Sequence, residues 1–303
     1  MQFMPQAIHS SPLGEVSPVR VTERLSFSAQ FSRLPWCEQL CGAIFDMLRS
    51  IYTLWCSICK LDMSALRTLI HIPQEQTMKY TNITPAKFIK RHNRFVAEVE
   101  LGGEAVLCHV KNTGRCRELL QEGVTVYLEK ASNPARKYQY SLITVEKGER
   151  LVNMDSSAPN KAVYEWLKKE EYFKNVTLIK PESTYGKSRF DFYFEYDDKK
   201  AYMEVKGVTL ENEGVVSFPD APTTRGVKHL NELCDCLKDG YEAYVMFVVQ
   251  MKDVLYFTAN GKNDPAFEKA LKKAKSEGVK ILCYDCEIKK DEMIIKNPVK
   301  VSL

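Results

Sequence analysis

The sequence predicts a two-domain α+β protein in which a small β-barrel precedes an α/β domain. Between residues 94 and 153, short runs of alternating apolar and polar residues are separated by turn residues. After residue 153, segments with helical periodicity alternate with apolar strand-like runs, which is the pattern of a sheet covered by helices. The chain has 303 residues, enough for two such domains and a further segment.

The first segment, residues 1–77, differs in composition from the rest of the chain. It begins with a stretch rich in Pro, Ser and Gly, which is typical of disorder. An apolar, helix-permissive stretch follows from Trp36 to Ile70, but charged residues leave no uncharged run long enough to span a membrane: Glu38, Asp46, Arg49 and Lys60. We predict an appended or poorly ordered extension. The alternative is a helical hairpin that docks on the core or on a membrane surface.

Charge and cysteine content indicate the compartment and permit certain partners. Lys and Arg exceed Asp and Glu by 43 to 39, which permits a nucleic-acid partner without requiring one. The ten cysteines are scattered and no secretory signal precedes them, so we expect reduced thiols in a cytoplasmic protein without a membrane partner. A zinc site would need Cys56 and Cys59 to meet Cys283 and Cys286 from the opposite end of the chain.

The first domain, residues 78–153, is predicted to be an OB-like barrel. Five strands are expected in it: "RFVAEVEL", "EAVLCHVK", "VTVYLEK", "YSLITVEK" and "RLVNMD". Basic and aromatic residues decorate these strands and their loops, a combination that suits single-stranded DNA or RNA. A solvated polar face explains the same residues. The candidate nucleic-acid contacts in this domain are Arg94, Asn112, Thr113, Arg115 and Arg117.

One loop of this domain, "HVKNTGRCREL", is a specific candidate for anion binding. Asn112, Thr113 and Gly114 can form a tight turn whose backbone amides meet an anion. Arg115 and Arg117 follow directly and can neutralise it. A plain turn between a strand and a helix is the alternative.

The second domain, residues 154–303, is predicted to run helix, three strands, helix, strand, helix and strand. The first helix is "NKAVYEWLKKEEYF", with Asn160 as its N-cap. "TTRGVKHLNELCDCLKDG" and "DPAFEKALKKAKSEG" are the other two helices. The run "EAYVMFVVQ" is apolar throughout, as expected for a central strand covered on both faces, and "VKILCYDCEI" is the last predicted strand.

A charged hairpin, "SRFDFYFEYDDKKAYMEVKGV", is the candidate catalytic element. Strand alternation puts Asp191 on the face opposite Phe190, Phe192 and Phe194, and it puts Glu204 and Lys206 on one face of the next strand. If Asp197 pairs with Lys200, Asp191 lies opposite Lys206 and diagonal to Glu204 at about 7–8 Å. Two converging carboxylates can close that spacing around one hard cation.

Two acids and a lysine on a buried sheet would be costly if their role were only structural. Bound to Mg²⁺ the acids become ligands, and Lys206 can orient or activate water and stabilise transition-state charge. An exposed hairpin whose charges pair with one another is the alternative.

The order of these residues resembles the PD-(D/E)xK nuclease superfamily, in which an Asp on one strand is followed on the next by Glu-x-Lys, here Asp191 and Glu204-Val205-Lys206. Residues 78–303 also resemble the sugar fermentation stimulation protein family through the segments "NRFVAEVEL", "HVKNTGRCREL", "YGKSRFDF", "YMEVKGVTL" and "FPDAPTTRGVKHLNEL". That family implies an OB-like domain, a restriction-endonuclease-like domain with a mixed central sheet, and a DNA-binding nuclease.

By the same resemblance, Asp191 and Glu204 are ligands of Mg²⁺ or Mn²⁺, the Val205 carbonyl can add a third ligand, and Lys206 is the catalytic lysine. The superfamily often adds a Glu from its first helix, for which Glu165 is the candidate and Glu182 an alternative.

The segment "FPDAPTTRGVKHL" resembles a family signature and precedes a helix whose N-terminus can receive a phosphate. Arg225 and His229 are therefore candidate nucleic-acid contacts; capping by Thr223 or Asp220 and a solvent-facing His229 explain the same residues. We expect a nuclease acting on DNA or RNA, with a non-catalytic DNA-binding regulator of sugar-metabolism genes as the alternative. Many nucleases of this type form homodimers to cut two strands, so the resemblance also makes a homodimer an expectation.

Overall fold

The computed structural model describes residues 78–303. The predictions for residues 1–77, including those that involve Cys56 and Cys59, concern residues outside this range. Within it, no helix is both long enough and apolar enough to cross a membrane.

Six strands form the first body, and five of them close into a barrel. They are β1 (Ile83–Arg91), β2 (Val96–Leu101), β3 (Glu104–Val110), β4 (Thr125–Lys130), β5 (Tyr140–Lys147) and β6 (Arg150–Asn153). Antiparallel pairing gives the order β3-β2-β1-β4-β5-β6, and a parallel pairing of β3 with β5 closes the barrel. The OB-like barrel predicted from the sequence is confirmed.

Strand β1 is absent from the predicted set of five strands, which matches β2 to β6. Its run "ITPAKFIKR" contains Pro85, which argues against a strand with neighbours on both sides. In the structure, β1 pairs with β4 over Ile83–Lys87, and its pairing with β2 begins only at Lys87. Pro85 therefore lies where β1 has one partner, while Ala86 and Phe88 point into the core.

The second body contains three helices and two sheets. Its elements are α1 (Ala158–Lys168), β7 (Val176–Tyr185), β8 (Ser188–Tyr196), β9 (Lys199–Val208), β10 (Glu211–Asn212), β11 (Val215–Phe218), α2 (Thr224–Lys238), β12 (Glu242–Val249), β13 (Tyr256–Ala259), α3 (Pro265–Glu277), β14 (Lys280–Ile288), β15 (Met293–Pro298) and β16 (Val301–Ser302). The larger sheet has the order β15-β14-β12-β9-β8-β7, and the smaller has the order β10-β11-β13-β16. Strand β14 is therefore not the last strand, contrary to the sequence-based expectation.

The larger sheet is mixed and is covered on both faces, as predicted. Strand β12 pairs in parallel with β9 and β14, whereas β8–β9, β7–β8 and β14–β15 are antiparallel. From β12, Tyr244 and Met246 pack with the buried face of α1. Val245 and Phe247 pack on the other side with α2 and α3. Alternate residues of one apolar strand thus serve two cores, which explains why "EAYVMFVVQ" contains no polar alternation.

The N-cap of helix α1 lies three residues earlier than predicted. It starts at Ala158, with Ser157 in the N-cap position and Pro159 in the first turn. Proline is tolerated there because a backbone N–H in the first turn has no acceptor within the helix. The prediction of Asn160 as N-cap is therefore wrong, and its side chain is available for a different contact. The predicted buried face, which includes Trp166 and Leu167, is confirmed.

A buried polar network fixes the barrel to the second body. The Gln250 amide after β12 donates to the carbonyl oxygens of Asn153 and Asp155, both at 3.1 Å. The Asp155 carboxylate accepts from Lys111 of the barrel at 3.2 Å. Breaking these buried hydrogen bonds would cost free energy, because the separated groups would lack partners. The barrel and the larger sheet therefore keep a defined orientation within one compact unit.

Candidate metal and nucleic-acid site

The hairpin of β8 and β9 holds the candidate catalytic residues in a register two residues away from the predicted one. Tyr196 pairs with Lys199 and Tyr193 pairs with Tyr202. The turn consists of Asp197 and Asp198 alone, both with positive φ (44° and 60°), as in two-residue hairpin turns. The prediction that Asp197 pairs with Lys200 is therefore wrong. The difference is even, so Glu204 and Lys206 keep the predicted face.

The regular pairing of β8 with β9 ends just before Asp191. The last pair is Phe192 with Met203. Continuing this register would put Asp191 across from Glu204, not diagonal to it as predicted. There the Asp191 Oδ2 accepts the backbone N–H of Val205 at 2.7 Å. The Asp191 carboxylate thus accepts the N–H that a backbone carbonyl would accept in regular pairing. This hydrogen bond holds the carboxylate between the two strands.

Side-chain alternation along β8 is also broken at this point. Phe192 and Phe194 pack with Met203, as predicted. Phe190 instead packs on the other side, against Tyr202 and His229, with ring-centroid distances of 5.6 and 5.8 Å. The prediction that Phe190 shares a face with the other two phenylalanines is therefore wrong, because the strand leaves regular β geometry at Asp191.

The Asp191 carboxylate has two protein partners and an altered acidity. Its Oδ1 accepts from the side-chain amide of Asn160 in α1 at 2.7 Å, and its Oδ2 accepts from Val205 as above. Burial and the charge of Glu204 raise the pKa of Asp191 to about 6, although both hydrogen bonds act in the opposite direction. A nearby cation would favour the ionised form in the same way.

Glu204 is buried, with 4% of its surface exposed. Its Oε1 lies 2.5 Å from the Lys206 ammonium and 2.5 Å from His229 Nδ1. Its Oε2 is buried and has no hydrogen-bond partner within the described part of the chain. Burial would raise the pKa of Glu204, but His229 and Lys206 outweigh it and the pKa is lowered. Glu204 therefore offers one unused carboxylate oxygen in the interior.

His229 links Glu204 to Arg225 on helix α2. The ring is buried, and its Nε2 lies 3.4 Å from Arg225 Nε. Because the arginine donates, the other ring nitrogen is assigned as the donor to Glu204. The solvent-facing alternative for His229 is wrong. The capping alternative is correct for Thr223, whose hydroxyl accepts from the Gly226 N–H at 3.0 Å.

The other candidate ligands are less closely tied to this pair of acids. Val205 contributes its backbone N–H to Asp191, so its carbonyl as a metal ligand stays a prediction. Glu182 is exposed and pairs with Arg189 at 2.8 Å, and Glu165 accepts from the backbone N–H of Met78. Residues 78–303 contain no group of three or more His, Cys, Asp or Glu side chains arranged to hold a metal ion. A cation at this hairpin would therefore have two carboxylate ligands, with water and substrate to complete its shell, as is usual for Mg²⁺.

A cleft of about 860 Å³ lies between the barrel and the segment from Phe218 to Thr223. Four of the predicted nucleic-acid contacts line it: Arg94, Thr113, Arg115 and Arg117. Asn112 lines an adjoining cavity of about 170 Å³ together with Gly207, which directly follows Lys206. The loop of the barrel thus reaches the end of β9. Arg225 and His229 line a separate pocket.

Arg91 organises this loop, a role that no sequence pattern indicated. Its guanidinium donates to the carbonyl oxygens of Asn112 (2.6 Å), Gly114 (2.7 Å), Arg115 (2.9 Å) and Arg94 (2.6 Å). The side chain of Asn112 also accepts from the Gly114 N–H at 2.8 Å. Both residues therefore shape the loop, and the exposed cations beside it remain available to a ligand.

Gly207 allows the backbone of β9 to pack closely against Gln250 and Pro159 beside the small cavity. A Cβ there would lie 2.5 Å from the Gln250 side-chain oxygen and 2.9 Å from Pro159, so only glycine fits without displacement of a neighbour. Close packing at Gly207 sets the position of the strand immediately after Lys206.

The barrel and the α/β body define the class as a two-domain protein with an OB domain followed by an RE domain. The family model "SfsA N-terminal OB domain" matches residues 89–154, and "Sugar fermentation stimulation protein RE domain" matches residues 157–292. The chain belongs to the sugar fermentation stimulation protein family.

Relatives of this family align over most of the chain. A sugar fermentation stimulation protein homolog of Clostridium beijerinckii is 56% identical over 226 residues, which cover 75% of this chain and all of the relative. A homolog of Desulfitobacterium hafniense is also 56% identical over 226 residues, with 75% and 99% covered. The solved structure of Pyrococcus furiosus SfsA in complex with Ca²⁺ has a TM-score of 0.66 and 26% identity, with 74% of this chain and 98% of that chain covered.

Proposed function

We propose that the protein is a metal-dependent nuclease that hydrolyses phosphodiester bonds in DNA or RNA, with the OB barrel holding the nucleic acid. The observation that carries the proposal is the buried Glu204 Oε2 near Asp191, for which residues 78–303 provide no hydrogen-bond partner. A buried carboxylate oxygen without a donor is costly. A cation bound there would offset that cost.

The chemistry of this donor set fits Mg²⁺ or Mn²⁺. Asp191 and Glu204 would hold the ion through carboxylate oxygens, which hard divalent cations prefer. The Pyrococcus furiosus relative is described in complex with Ca²⁺, another cation with this preference, which supports a metal site in the family. When bound, such an ion polarises the phosphate and makes a coordinated water more acidic.

The protein residues supply position and charge. The Lys206 ammonium, held on Glu204 Oε1, carries the positive charge that would stabilise the extra negative charge of the phosphate in the transition state. His229 occupies the same oxygen from the other side and leaves Oε2 free for the ion. Asn160 and the Val205 N–H fix both oxygens of Asp191, so the two acids need little rearrangement on binding.

The barrel would deliver the strand to these groups. Arg94, Arg115 and Arg117 line the large cleft and can neutralise backbone phosphates. The loop at Thr113 borders both that cleft and the small cavity beside Gly207. A strand held in the cleft would therefore run toward the position of Lys206.

A metal titration with an end-labelled DNA or RNA strand tests this function. We expect cleavage that requires Mg²⁺ or Mn²⁺ and stops on addition of EDTA. The Glu287→Gln variant is a matched control, because it removes a partly exposed acid of the same sheet that pairs with Lys296 at 3.3 Å, and it should cleave like the parent. Binding without cleavage at every metal concentration would favour the DNA-binding regulator instead.

A further inference from the structure

A second basic pocket lies at the N-terminal turn of α2, next to the end of the barrel cleft at Thr223. It has a volume of about 470 Å³ and is lined by Lys187, Ser188, Arg189, Thr224, Arg225, Lys228 and His229. Four of these residues are cations and none is acidic. The pocket is therefore chemically suited to an anion.

Most of this positive charge is available to a ligand. Arg189 pairs with Glu182, but the two side chains are 63% and 54% exposed, and Lys228 pairs with Glu232 at 3.6 Å. The Arg189–Glu182 pair is weak because both side chains are exposed, so a phosphate can compete for Arg189. Glu232 is largely buried, but the Lys228 side chain is 54% exposed and can contact a second anion. Within residues 78–303 no carboxylate forms an ion pair with Lys187 or Arg225.

The pocket is one side chain away from the candidate metal site. Arg225 contacts His229 at 3.4 Å, and His229 contacts Glu204 Oε1 at 2.5 Å. Ser188, which also lines the pocket, lies three residues before Asp191 in strand β8. Glu204 is thus linked to the wall of the pocket by a hydrogen bond to His229, and Asp191 is linked to it by the short stretch of β8 that begins at Ser188.

We infer that this pocket binds a backbone phosphate of the nucleic-acid strand, next to the phosphate that is cleaved; the inference rests on the proposed nuclease function. Thr223 lines the barrel cleft and the adjacent Thr224 lines the pocket. A nucleic-acid strand that occupies both the cleft and the pocket would pass over the first turn of α2. It would then contact the protein on either side of Asp191 and Glu204. Arg225 then connects the bound phosphate through His229 to Glu204.

The test uses the full chain and measures binding of a fluorescent single-stranded oligonucleotide in EDTA over a range of salt concentrations. The Lys187→Gln/Lys228→Gln variant should bind more weakly, with a salt slope reduced by about 0.7 for each lost phosphate contact. The control is Lys252→Gln/Lys273→Gln, which removes two exposed lysines that lie outside both clefts and pair with Asp253 and Glu277. This control should keep the parent slope.

Because no metal is present, the result does not depend on cleavage. An unchanged slope in Lys187→Gln/Lys228→Gln, together with binding by the parent, would overturn the pocket and leave the nuclease proposal standing. Competition gives the second test. If inorganic phosphate displaces the strand from the parent better than chloride of equal ionic strength, and not from the variant, the strand occupies the pocket through a phosphate group. Equal displacement by the two salts in the parent would overturn the pocket as a phosphate site.

Discussion

Asp191 accepts the backbone N–H of Val205, the residue after Glu204, at 2.7 Å, and burial and the charge of Glu204 raise the pKa of Asp191 to about 6. Glu204 differs from Asp191, because Lys206 and His229 lower its pKa. One acid is thus held as a carboxylate while the other takes up a proton close to neutrality. A cation between them would remove the conflict between their charges.

Metal affinity should therefore depend on pH. Above about pH 6 Asp191 is ionised and available, and below that value a proton competes with the cation. Because the pKa of Asp191 is raised, Mn²⁺ affinity should fall as the pH decreases from 7 to 5, by up to about tenfold per pH unit below pH 6. Calorimetric titration of the parent with Mn²⁺ at a series of pH values measures this affinity.

Two variants assign this pH dependence to Asp191. Asn160→Ala removes a hydrogen bond that favours the ionised form, so the midpoint should move to higher pH. Asn175→Ala removes the same kind of hydrogen bond at the turn of the hairpin, to Asp197, and should keep the midpoint of the parent. An affinity that is constant between pH 5 and 7 in the parent would show that Asp191 does not bind the ion.

Lys206→Met should separate metal binding from catalysis. The substitution removes the ammonium beside Glu204 and leaves both acids in place. We expect Mn²⁺ to bind with nearly the parent affinity and strand cleavage to slow by about a hundredfold or more, as for other single electrostatic donors. Single-turnover cleavage at saturating metal is the measurement. Cleavage at the parent rate would exclude Lys206 from the transition state.

Neutralising the barrel cleft should weaken nucleic-acid binding. The Arg94→Gln/Arg115→Gln/Arg117→Gln variant removes three of the cations that line the cleft and leaves Arg91, which holds the loop. The salt dependence of oligonucleotide binding should flatten by about 0.7 in slope for each lost phosphate contact. The control is Lys238→Gln at the far end of α2, where the lysine is exposed and pairs with Asp235. A slope equal to that of the parent would place the strand elsewhere.

The sequence could place Glu204 and Lys206 on one face because the alternation of side chains along β9 is unaffected by an even error in register. The chosen turn, with Asp197 paired to Lys200, was wrong, yet Glu204 and Lys206 still share the predicted face. The true turn was hard to predict because Asp197-Asp198 lacks the glycine that usually marks a two-residue hairpin turn.

Other features depend on tertiary contacts that leave no local pattern. Asn160 looked like a helix cap because its type suits one, but Ser157 and Pro159 already begin the helix and its amide contacts Asp191 instead. Phe190 follows a perfect alternation in sequence, and only the contact of Asp191 with Val205 shows why it changes side. Arg91 could be any exposed arginine until the carbonyl groups around it are seen.

The cleavage rate of an end-labelled strand by the Glu204→Gln variant at saturating Mg²⁺ tests the central claim most directly. Gln keeps the shape of Glu204 and removes its charge and the free carboxylate oxygen, so the fold, checked by thermal unfolding, should be retained. We predict that cleavage falls at least about a hundredfold below that of the parent, because the metal loses one of its two carboxylate ligands. Asp191→Asn should behave in the same way. Cleavage by Glu204→Gln at the rate of the parent would contradict a metal-dependent nuclease centred on these two acids.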